Sequence, residues 1–129
     1  MERHMVEQDL ESAENPFLQM EGLPRFDEMR PEYVGEAVQR LLAWSERELE
    51  RVEQQLTPTW DGLLRPLEEM DRPWEYVWGS VRHLLGVQNS DDLRKAHEEV
   101  LRDVVSFGLK VQQSSTISSG LKALRDGPG

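Results

Sequence analysis

Three long runs of apolar residues at helical spacing, punctuated by prolines and polar caps, leave this chain few folds to choose from. Val34, Val38, Leu41, Leu42, Leu49, Val52 and Leu56 recur mostly three or four residues apart, which sets them along one side of a helix. Pro31 stands where a helix can begin, because its missing N–H costs nothing in the first turn, and Glu32 suits the same positive helix end. The pattern predicts a helix from Pro31 to about Gln55, stopped by Thr57-Pro58-Thr59. The second run comprises Trp60, Leu63, Leu64, Leu67, Met70, Trp74, Val77, Trp78, Val81 and Leu84. Thr59 is placed to cap it, with Asp61 in its first turn. Pro66 is expected to kink this helix and Pro73 to break it, so that two pieces meet near Asp71. Gly79-Ser80 is a further weak point. Asn89-Ser90-Asp91-Asp92 signals the start of a third helix, whose apolar side carries Leu93, Ala96, Val100, Leu101, Val104, Phe107 and Val111. Ser114 to Gly120 reads as a Ser/Gly-rich break. Leu121 to Leu124 reads as one more helical turn, ended by Asp126-Gly127-Pro128-Gly129.

Ahead of Pro31 the pattern is different. Residues 1–14 are polar and aperiodic and are expected to form a disordered lead-in. Residues 15–30 hold Pro16 and Pro24, which forbid a continuous helix. Phe17, Leu18, Leu23 and Phe26 between them predict an extended arm that packs on another surface. The expected fold is all-α: a short antiparallel array of about three main helices, the second kinked or broken near Pro66 and Pro73, behind an extended N-terminal arm. The organisation is a lead-in over 1–14, the arm over 15–30, a helical segment over 31–126 and a tail over 127–129. Three helices of this size close only a small core, which implies marginal stability.

Charge and composition exclude several functions. The formal net charge is −10, so phosphate backbones and anionic membranes are repelled, and no Lys/Arg stripe provides a local exception. Neither nucleic acid nor membrane is an expected partner. There is no cysteine, which removes disulfides, thiolate metal ligands and thiol nucleophiles together and suits a reducing, cytoplasmic setting. Met1 to Gln8 carries Glu2 and Glu7 and no apolar run, unlike a signal peptide, and no stretch is long enough to span a membrane.

Catalytic groupings are equally scarce. The histidines are His4, His83 and His97, and none belongs to a His-Glu-x-x-His motif, which sets two zinc-binding imidazoles one helical turn apart. His83 and His97 fall on different helices, where packing at an interface is the expected role. Glu68-Glu69 and Glu98-Glu99 are adjacent, so on a helix they diverge and form no acid/base pair. No phosphate-binding loop or nucleophile elbow occurs, and Ser114, Ser115, Ser118 and Ser119 have no base nearby in sequence. Trp60, Trp74 and Trp78 are expected in the core, whereas Trp44 lies towards the polar side of its helix and is a candidate contact for a partner surface. The sequence therefore offers no catalytic, cofactor-binding or metal-binding residue.

The same segments carry a family resemblance. Asn15-Pro16-Phe17-Leu18, Gly22-Leu23-Pro24-Arg25-Phe26 and Arg30-Pro31-Glu32-Tyr33-Val34 are followed by Pro58-Thr59-Trp60-Asp61-Gly62-Leu63 and Pro66-Leu67-Glu68-Glu69-Met70-Asp71. Val81-Arg82-His83-Leu84, Val87-Gln88-Asn89-Ser90-Asp91-Asp92-Leu93-Arg94 and Lys122-Ala123-Leu124-Arg125-Asp126 complete the series. In order and spacing, residues 15–126 resemble the N-terminal helical segment of the thimet-oligopeptidase family of zinc peptidases, which includes oligopeptidase A. Pro73, Gly79-Ser80 and His97 depart from the family's usual residues. The resemblance implies an almost wholly helical, intracellular endopeptidase that cleaves short peptides in a deep channel, with these helices in the lobe that walls the channel and restricts access. It implies zinc for the full-length relative, bound far downstream, so no site residue carries over and this chain is expected to be inactive alone. Its implied partners are the missing catalytic lobe or a second copy. The alternative is a stand-alone helical interaction module without catalysis.

Overall fold

The computed structural model describes residues 15–20 and 22–127, and every described element is helical. The expectation for residues 1–14 lies outside this range. Four α-helices form: α1 (Val34–Gln55), α2 (Arg65–Val87), α3 (Asp91–Gln112) and α4 (Ser115–Asp126). Single 3₁₀ turns at Pro16–Leu18, Phe26–Glu28 and Pro31–Tyr33 precede them.

Contacts between the helices fix their directions. Gln39 Nε2 of α1 donates to Asp103 Oδ2 of α3 at 3.0 Å. Farther along both helices, the Ser114 hydroxyl just beyond α3 donates to Glu53 Oε2 of α1 at 2.5 Å. Rising numbers meet rising numbers, so α1 and α3 run parallel. Trp78 of α2 lies over His97, and Trp74 over Phe107, with centroids 4.9 and 5.9 Å apart. Falling numbers meet rising ones, so α2 is antiparallel to α3 and hence to α1. The expected antiparallel succession is present, with α1 packed against both other long helices.

That central position gives α1 two buried sides. Ala37, Val38, Leu41, Leu42, Trp44, Ser45, Leu49 and Val52 are all buried, more of its circumference than the single stripe of a surface helix.

The arm is clipped to the head of α1. Asn15 is buried; its side-chain oxygen accepts from the Phe17 N–H at 3.0 Å, and its amide donates to Tyr33 O and Glu36 Oε1 at 3.0 and 3.2 Å. This tie folds Phe17 and Leu18 fully into the core, about 1.5–3 kcal/mol of burial for each side chain. The Tyr76 hydroxyl of α2 donates to the Gln19 carbonyl and holds the arm from the other side. Gly22, at φ +75°, turns the chain before Leu23, whose side chain stays in solvent.

Two departures concern α2. Thr59 caps its start as the sequence predicts, accepting from Gly62 N–H at 3.0 Å, but the first turn, Trp60–Leu64, is a π turn closed from Arg65 N–H to Trp60 O. Pro66 explains the width: it has no N–H to donate back into that turn, and the loop opens by one residue. The break expected near Asp71 is absent, because α2 continues through Pro73 to Val87. Proline inside a helix costs about 3 kcal/mol. Buried Met70, Pro73, Val77 and Val81 offset that cost, and the buried Ser80 hydroxyl is satisfied by donating to Tyr76 O at 2.5 Å.

A third departure is α4, which occupies the expected Ser/Gly-rich break. Ser114 is its N-cap, accepting from Ile117 N–H at 3.3 Å. Ile117 and Gly120 face the protein. A Cβ on Gly120 would lie 2.8 Å from Leu56 Cδ2 and 3.1 Å from Leu63 Cδ2. Glycine lets α4 sit this close to the π turn without displacing the ends of the Leu56 and Leu63 side chains.

Candidate functional site

The two histidines within the described range are each engaged by an aromatic ring. His83 of α2 lies against Phe26 of the arm, with centroids 4.4 Å apart, and His97 stacks on Trp78 at an interplanar angle of 18°. Each imidazole thus lies against one aromatic ring, His83 at the exposed surface and His97 partly buried. Among the described residues no three His, Asp or Glu side chains gather as a metal site, so these donors do not fit the zinc of the resembled family, and no chemistry through zinc follows from them. One carboxyl is perturbed. The Asp71 acid is raised above the ordinary aspartate range, first by the protein around it, which disfavours its charge, and then by the carboxylate of Glu75.

The tryptophans exchange two of their expected places. Trp44, expected towards a partner surface, is 3% exposed, whereas Trp60, expected in the core, is 50% exposed. The reason is the sandwiching of α1: its second buried side takes in Trp44. The widened turn at Trp60–Leu64 meanwhile leaves Trp60 outside and turns Leu63 inward. Trp74 is half-buried, with Nε1 donating to Ser45 Oγ at 2.7 Å. Trp44 Nε1 meets no acceptor among the described residues.

Two open grooves mark the surface. One, of about 430 Å³, lies between α1 and α3 and is lined chiefly by polar groups, including Gln39, Glu46, Asp103 and Lys110. The other, of about 550 Å³, lies where α2, α3 and α4 meet and has a largely apolar lining that includes Leu67, Val111, Ile117 and Leu121. Leading towards this second groove is an exposed apolar line on α3 formed by Leu101, Val105 and Leu109. The sequence reading assigned Leu101 to the inner side and passed over the other two. Their four-residue spacing from Leu101 was the available signal.

The apolar groove and the exposed line on α3 can pack on apolar surface. Comparison with known proteins supplies the context. The family model described as "Neurolysin/Thimet oligopeptidase, N-terminal domain" matches residues 38–129. The chain is 37% identical over 124 residues to "Probable cytosolic oligopeptidase A" of Arabidopsis thaliana, covering 96% of this chain and 18% of that protein. It is 37% identical over 116 residues to "Organellar oligopeptidase A, chloroplastic/mitochondrial" of the same plant, covering 90% and 15% respectively. Against oligopeptidase A of Escherichia coli (strain K12) the identity is 36% over 114 residues, covering 88% of this chain and 17% of the relative. The chain thus spans less than a fifth of the length of these relatives.

Proposed function

The chain belongs to the neurolysin/thimet oligopeptidase family, in its N-terminal domain, and from that premise we propose that it is the non-catalytic N-terminal part of an oligopeptidase-A-like zinc metalloendopeptidase that degrades short peptides. Its role is architectural: to wall the substrate channel and restrict access to small peptides. The carrying observation is the collinear similarity to oligopeptidase A over 96% of the chain. The helical array supports the reading as well, since its arm is hydrogen-bonded to the first two long helices and ties the bundle into one packed unit. Zinc, its ligands and the water-activating carboxylate belong to the remaining polypeptide of such an enzyme, which works in the cytosol.

The test is a graft. The segment of E. coli oligopeptidase A that aligns with this chain is replaced by it, and cleavage of a quenched short peptide is compared with that of a long unfolded polypeptide. The graft is expected to cut the first and spare the second, while the 129-residue chain cuts neither. A graft that folds and leaves the short peptide intact, or that degrades the long polypeptide equally well, refutes the channel-wall role.

A further inference from the structure

We propose that Leu101, Val105 and Leu109 of α3 form a seam on which the remaining polypeptide of an oligopeptidase-length chain docks a helix. The three side chains are 37%, 51% and 48% exposed. Their spacing of four residues aligns them as a ridge on one face. Gly108 adjoins the ridge, and a Cβ there would meet nothing within 4 Å, so a partner backbone has room to approach. One turn beyond Leu109, Gln112 brings the ridge to the apolar groove between α2, α3 and α4, where Leu121 is also exposed. The ridge is an exposed apolar line and the groove beyond it has a largely apolar lining edged by Lys122 and Arg125; exposed apolar surface on this scale marks an interface.

Two observations select the occupant. The chain accounts for only 15–18% of the length of the Arabidopsis relatives, so a protein of that length has ample polypeptide to cover this face. A second copy is disfavoured by charge, because each copy carries −10 and pairing brings two such surfaces together.

The inference rests on the reading of the chain as part of a longer peptidase, and the experiment separates the two. Val105→Glu with Leu109→Lys is made in the chain alone and in the E. coli oligopeptidase A graft, and both are melted. In the chain alone the midpoint is expected to stay within about 3 °C, since neither side chain is buried there. In the graft it is expected to fall by about 5 °C or more, because the same positions are then covered. Equal midpoints for altered and unaltered grafts overturn the seam while leaving the channel-wall role intact. An unaltered graft that folds but does not cut the short peptide overturns that role, and its melt still decides the seam. If sedimentation shows the chain alone to be a dimer that the two substitutions separate, a second copy occupies the ridge and the proposal is overturned.

Discussion

The indole of Trp74 donates to the Ser45 hydroxyl at 2.7 Å, across the interface between α2 and α1 and one residue beyond Pro73. Ser45 is fully buried, so the bond ties the helix at the point where its own ladder is interrupted. Replacing Ser45→Ala leaves the indole N–H without this acceptor and is expected to cost about 1–3 kcal/mol in urea unfolding. Adding Trp74→Phe removes the donor too, and a double-mutant cycle should then show positive coupling between the two positions. Strict additivity would assign the bond no energetic role.

Gly62 is expected to be the least replaceable glycine of the helical segment. A Cβ there would lie 1.8 Å from Thr57 Oγ1 and 3.0 Å from Thr57 Cβ. Relief requires Thr57 to move away from Thr59, whose hydroxyl caps this turn. Gly62→Ala should therefore lose at least the value of the cap, about 1 kcal/mol. Gly79→Ala, in a helix interior with open space around the new carbon, should raise stability by about 0.5–1 kcal/mol. Thermal melts of the two variants should move in opposite directions.

The burial of Trp44 and the exposure of Trp60 make a paired prediction. Trp44→Ala opens a cavity between packed helices and should cost about 3–5 kcal/mol. Trp60→Ala removes a side chain that is half in solvent and should cost about 1 kcal/mol or less. Similar losses at the two positions in urea unfolding would contradict this arrangement of α1 and the π turn.

Asp71 predicts a pH dependence of defined sign. Its folded-state acid is weaker than the ordinary aspartate value of 3.8, so the folded protein holds the proton more tightly than the unfolded chain does. The stability that this proton contributes is complete below the unfolded value and is lost as pH rises through the raised folded one. Asp71→Asn, which never ionises, should be more stable than the unaltered chain at neutral pH. That advantage should shrink as pH falls to the unfolded value. A constant difference between the two melting curves from acid to neutral pH would exclude the effect.

The long helices and two of their caps were legible because each signal is local. Thr59 and Ser90 announce helix starts wherever they precede such a run, and both accept the capping N–H. What was not legible depends on neighbours far along the chain. The Ser/Gly-rich stretch after Ser114 has poor intrinsic helix propensity. It becomes α4 because Gly120 fits against Leu56 and Leu63 and Ile117 is buried in the core. Pro73 stays in its helix because the core encloses it. Trp44 was misplaced because a single apolar stripe describes a helix with one covered side, and α1 has two. The absence of a candidate catalytic grouping was an expectation about residue types, whereas the α3 ridge needed the structure to show which side of that helix remains uncovered.

The Ser114 hydroxyl both donates to Glu53 and accepts from the Ile117 N–H, which makes the start of α4 conditional on the far end of α1. Those partners are 61 residues apart in sequence, and the Gln39–Asp103 bond spans 64. Parallel pairing of the first and third helices forces such separations, since a whole helix must return between them. The loop closures required are costly before any contact compensates, so this bundle should fold more slowly than one built from hairpin neighbours alone. Because the cap of α4 hangs on that distant contact with Glu53, its amides should be the first of the four helices to exchange with solvent.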